Sequence, residues 1–209
     1  MPDGLVLAAA VLVLGPLLGS IPIAYPPFWP IWSASREVHL ATVGAHRRAW
    51  SALNAGFAVA TISTAAATLA LPILTGAGAT TAGATLVGAA LVYAIGGALW
   101  CAVLGIRMRT TPALATLVAA GAPTEPAETL LAAATGGLFA AFVLTTAAAL
   151  VVVGIALLAS ATVVAPVAIV VAVAGALMAA WYLVTGDVIP AAFYPPTMLV
   201  GVALLLGWG

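Results

Sequence analysis

The chain has 209 residues, of which 65% are hydrophobic and 5% charged, against about 25% charged in soluble domains. Five arginines balance five acids and lysine is absent, so there is no basic field for nucleic acid, no acidic tail, and no lysine for a Schiff base with retinal or pyridoxal phosphate. The single cysteine, Cys101, excludes an internal disulfide and any multi-cysteine metal or iron–sulfur site.

Crossing a hydrocarbon core of about 30 Å takes about 20 apolar residues as helix. Six runs meet that length: residues 4–24, 50–73, 83–105, 130–157, 162–184 and 187–207. The expected fold is therefore all-α, a polytopic transmembrane bundle of six spans forming one integral membrane domain. The first run has Asp3 and no Arg or Lys ahead of it, unlike a secretory signal, and is read as a retained helix. Gly15 and Gly19 in that run are spaced to admit another backbone, although Ala and Gly abound throughout the chain. Pro16 and Pro166 predict bends in the first and fifth helices.

All ten charged residues fall outside these apolar cores. Arg36, Arg47 and Arg48 follow the first run, and Arg107 and Arg109 follow the third. The positive-inside bias then makes residues 25–49 and 106–129 cytoplasmic loops and puts both termini outside, as in a multi-pass protein of a prokaryotic plasma membrane. Trp50, Trp100 and Trp181 fall at inner helix ends, Trp208 at an outer end, and Trp29 and Trp32 in the first inner loop, the registration of interfacial belts. Thr124 reads as a helix N-cap, with Glu125 and Glu128 in the first turn.

No proline interrupts residues 34–61, so the second helix is expected to extend back through the loop, capped by Ser33 or Ser35. His39, His46, Trp50, Asn54, Phe57 and Thr61 then fall within about 60° of one another, flanked by Arg36 and Arg47. Such a stripe suggests a metal or haem pair, a proton relay or an anion site. Two imidazoles seven residues apart are separated by about 10.5 Å along a helix, too far for one metal ion. Interfacial side chains are the plainer reading of the two histidines, and an interhelical hydrogen bond that of Asn54. No metal or cofactor is implied.

In the last run, Pro190, Pro195 and Pro196 leave too few residues after them to cross a membrane. The helix is therefore expected to start before them and kink, with Asp187 pairing Arg36, Arg47 or Arg48 across the cytoplasmic face. Ile21, Pro22, Ala24, Tyr25, Pro26 and Pro27 are echoed by Ile189, Pro190, Ala192, Tyr194, Pro195 and Pro196. The two copies do not occupy equivalent places in the halves of an inverted repeat.

The order His39–Leu40, His46, Trp50, six apolar spans, then Asp187 before Pro190 and Pro195 resembles small multi-pass membrane proteins of high-GC bacteria, a group without an established activity. The resemblance implies membrane location and a helical bundle. Three functional readings follow. The first is a non-enzymatic sensing, scaffolding or regulatory bundle, favoured because intramembrane polar chemistry is so sparse. The second is a small carrier or channel for a neutral or apolar solute, with a cavity lined by Asn54, Thr61, Tyr194 and the proline kinks. The third is a membrane enzyme using His39 and His46 with the arginines, and it requires those residues to converge on one pocket. Partners implied are membrane lipids, a second copy of the chain or another membrane protein.

Overall fold

The computed structural model describes residues 3–32, 34–76 and 79–208, and all regular structure in them is helical. In chain order the α-helices are α1 (Asp3–Ser20), α2 (Arg36–Ala45), α3 (Arg47–Leu74), α4 (Thr81–Ala119), α5 (Glu125–Ala159), α6 (Ala165–Thr185) and α7 (Tyr194–Leu205). Short 3₁₀ turns occupy Ile21–Ala24, Pro26–Trp32 and Pro190–Phe193. Prolines at 22, 26, 27, 30 and 190 lack the amide hydrogen that an α-helical ladder requires, and these stretches turn more tightly instead. The two echoed sequences thus share a local conformation as well as residues.

Five segments are long and apolar enough to cross a membrane: Asp3–Ala24, α3, α4, α5 and α6. The sixth expected crossing is shorter, an apolar stretch at Pro190–Leu205. Its α-helical part, α7, has 12 residues, about 18 Å of rise. The expected kink is a break: α7 starts at Tyr194 and takes Pro195 and Pro196 into its first turn, where the amide hydrogens have no intrahelical acceptor anyway. Pro166 likewise falls in the first turn of α6 and bends nothing there, whereas Pro16 lies inside α1.

Neighbouring helices pack in the order α7, α1, α3, α4, α5, α6, and a thin seam from α6 to α7 closes the ring. Lipid tails are as apolar as leucine, so helices associate through close packing rather than hydrophobic expulsion. Small residues supply that packing at two crossings. A Cβ on Gly19 would lie 2.4 Å from the Gly56 carbonyl oxygen, and one on Gly56 would lie 2.5 Å from that of Gly19. Between α5 and α6, a Cβ on Gly175 would lie 2.6 Å from the Ala147 carbonyl oxygen. The spacing of Gly15 and Gly19 therefore marks a true backbone approach of α1 to α3.

With 39 and 35 residues, α4 and α5 exceed what a bilayer needs. Residues 106–129, expected as a connecting loop, are helical except around 120–124. Because successive long helices are antiparallel, nine of the ten charges gather at this end of the bundle, and Asp3 stands alone at the other. The tryptophans divide. Trp29, Trp181 and Trp208 are exposed, but Trp50 and Trp100 are buried core residues and not members of an interfacial belt. The side chain of Trp32 lies outside what the structure describes.

Gly56→Ala should destabilise the bundle by about 1–3 kcal/mol, the usual cost of overpacking. Gly88→Ala, where a Cβ meets nothing within 4 Å, should leave stability unchanged; unfolding in lipid nanodiscs measures both.

Candidate functional site

At the charged end, Ser35 caps α2, its hydroxyl accepting from the Val38 amide at 3.5 Å; Ser33 lies outside the described residues. Arg36 then forks onto both carboxylate oxygens of Glu128, and its Nη2 donates to the Thr124 hydroxyl at 2.8 Å. This hydrogen bond to Glu128 holds the guanidinium pKa above its ordinary value. Thr124 does occupy the N-cap position of α5, but its side chain makes no cap bond and serves Arg36 instead. Arg47 donates to Thr116 at 2.8 Å and to the Gly44 carbonyl at 3.3 Å, which pins α2 on the far end of α4.

The pairing expected for Asp187 with Arg36, Arg47 or Arg48 is not formed. Among the described residues the ion pairs are those of Arg36 with Glu128 and Glu37. Asp187 turns to its own chain and accepts from the Val188 amide at 2.8 Å.

The helix expected to run unbroken through residues 34–61 stops at His46, whose backbone (φ −122°, ψ 42°) both ends α2 and starts α3. The stripe is divided there. His46 Nδ1 lies 3.0 Å from the Tyr25 hydroxyl. His39 Nδ1 donates to the Ile31 carbonyl at 3.3 Å, and its ring packs edge-on to Trp50. Phe28, 1% exposed, is in edge contact with both His46 and Trp50. Both histidines thus hold the proline-rich loop onto α2 and α3. Burial, with Arg107 adding to it, lowers the His39 pKa, and the bond to Ile31 opposes the shift.

Deeper in the stripe, the Trp50 indole donates to the Arg107 carbonyl at 3.1 Å, and the Arg107 guanidinium carbon stands 5.3 Å from the Trp50 ring centroid. Asn54 donates to the Trp50 carbonyl at 2.8 Å, within its own helix rather than across to another. Thr61 donates to the Phe57 carbonyl at 2.8 Å and lies 2.9 Å from the Tyr194 hydroxyl, which itself reaches that carbonyl at 3.2 Å. This contact joins α7 to α3.

Between these elements lies a cavity of about 870 Å³. Three helices line it with the same spacing: Trp50, Leu53, Asn54 and Phe57 from α3; Trp100, Val103, Leu104 and Arg107 from α4; Ala132, Thr135, Gly136 and Phe139 from α5. Each set is i, i+3, i+4, i+7, one face of a helix. The non-helical segment from Asp187 to Ala191, with Ile23, completes the wall. The surface is mainly aromatic and aliphatic. Its polar groups include Asn54, Thr135, the Arg107 guanidinium, the buried and unpartnered Trp100 indole N–H, and Asp187 at the exposed rim.

Of the residues singled out from sequence, Trp50, Asn54, Phe57, Asp187 and Pro190 meet at this cavity, whereas His39, His46, Arg36, Arg47, Arg48 and Thr61 are not among its lining. Trp100, Arg107, Thr135 and Phe139 were missed. The recurrent spacing with a tryptophan opening two of the three faces was the available signal. Comparison of the chain with protein-family models, curated proteins and solved structures gave no match.

His39 should remain neutral to a lower pH than the usual 6.5, as histidine carbon NMR shifts would show. Because its folded pKa is depressed, the stability it contributes is fully present above the unfolded value of 6.5 and is lost as pH falls from there through the folded pKa. His39→Phe should flatten this acid limb of the melting curve.

Proposed function

We propose that the chain is a non-enzymatic binding protein of the prokaryotic plasma membrane, whose cavity takes an apolar or amphiphilic small molecule. The observation carrying this reading is the cavity itself. Its volume, about 870 Å³, falls within the about 300–1,000 Å³ typical of small-molecule sites, and so does its mainly apolar lining with a few converging polar groups. Sensing fits better than open conduction, because the contacts of Tyr194 with Thr61 and of Phe142 with Trp100 and Phe193 close the bundle beyond the cavity. The enzyme reading loses its support, since neither imidazole lines the cavity and each engages a neighbour with a ring nitrogen.

In this reading the chain crosses the membrane six times, the arginine-bearing end is cytoplasmic, and both termini are outside. The charge distribution supports that orientation. Pro190–Leu205 completes the sixth crossing, with the break at its inner end sheltered against α3 and α5. Leu7, Leu18, Leu177, Leu183 and Val184, all exposed, provide the lipid-facing surface.

Alkaline phosphatase fused after the C-terminus should be active, and fused within residues 106–129 inactive; the reverse pattern would invert the topology. For the cavity, the test is native mass spectrometry from nanodiscs with dodecanol as probe. The wild type should take up one probe molecule. Gly136→Phe, built where a Cβ meets nothing within 4 Å, should lower that occupancy at least tenfold without lowering the melting temperature.

A further inference from the structure

The ligand's chemistry can be narrowed by asking which polar group in the cavity lacks a partner. Asn54 is bonded to Trp50, Thr135 donates to the Leu131 carbonyl, and Asp187 accepts from its own segment. Two groups lack an acceptor: Trp100, whose buried indole N–H has none, and Arg107, the charged one of the two. Its guanidinium carries five N–H donors, yet among the described residues it meets only the face of Trp50, and no hydrogen-bond acceptor or carboxylate reaches it.

The backbone carbonyl of Arg107 receives the Trp50 indole, so that lock does not require the charge. A leucine or methionine would fill the same apolar wall without the cost of desolvating a cation. A planar fork resting on an aromatic face, with its donors free, matches the geometry that binds carboxylate and phosphate.

We propose that the cavity binds a single-chain amphiphile with an acidic head, carboxylate or phosphate, its head on Arg107 and its alkyl chain between Trp100, Phe57 and Phe139. This rests on the reading of the cavity as a small-molecule site. Asp187 at the rim disfavours an anion there, which sets the head inward against Arg107 and leaves the chain to the aromatic wall.

The test compares laurate, dodecanol and dodecylamine by native mass spectrometry in nanodiscs of zwitterionic lipid. Laurate should bind at least tenfold tighter than dodecanol. Arg107→Gln should bring laurate down to the affinity of dodecanol measured in the same variant, and Arg107→Lys should restore part of the preference. Equal affinity for laurate and dodecanol, or preference for dodecylamine, would overturn the acidic-head assignment while the cavity reading stands. Failure of all three probes to bind would remove the cavity reading and this assignment with it. Repeating the laurate titration with the single-chain lipid lysophosphatidylglycerol in the discs separates the sources of the head. Displacement by one bound lipid assigns it to the membrane, and unchanged laurate binding assigns it to a free acid.

Discussion

Proline has no amide hydrogen to give, and its ring collides with the carbonyl four residues back, so a helix cannot pass through Pro190, Pro195 and Pro196 undisturbed. The bilayer imposes the complementary demand that every backbone polar group be satisfied within the protein. Residues 185–188 answer with hydrogen bonds of their own. Gly186 (φ 73°) ends α6 with its amide on the Tyr182 carbonyl. Thr185 donates to the Asp187 carbonyl and accepts from its amide, and Asp187 takes the Val188 amide. The unwound segment is thus held by its own side chains. It forms a cavity wall where a straight helix would have packed flat, and α7 restarts at Tyr194, tied to α3 by a phenol.

A second group of contacts lies outside the apolar slab. The extension of α4 past Arg107, the start of α5 and the short α2 form a polar-ended cluster joined by Arg36 to Glu128 and Thr124, and by Arg47 to Thr116. Exposed ion pairs contribute little stability singly. Their effect here is positional: they fix α2 and the turn at His46, so that His39 meets Trp50 and His46 meets Phe28, which itself packs on Trp50. Trp50 in turn meets Arg107. The charged end and the cavity are thereby mechanically continuous.

Much of the fold was legible from apolar runs alone, because a span of about 20 residues leaves few alternatives. Helix ends were less so. Residues 106–129 have three prolines and five threonines and read as a loop, yet α4 runs as helix through Pro112. The polar stripe was placed on one continuous helix, and the break at His46 is marked in sequence by nothing stronger than Gly44 two residues earlier. Trp50 and Trp100 were read as interfacial because tryptophan favours that position, whereas their environment is set by partners distant in sequence. The cavity was half visible. Asn54 and Asp187 stood out as polar residues in apolar surroundings, but Thr135 and Phe139 acquire meaning only when α5 folds across α4.

Direct imaging of the wild-type protein extracted in its native lipid tests the central claim, that this cavity is a ligand site. The account expects elongated density between Trp100 and Phe139 with its polar end against the Arg107 guanidinium. A map in which Trp100 and Phe139 close onto Pro190, with Arg107 turned outward to solvent and no space between them, would contradict it.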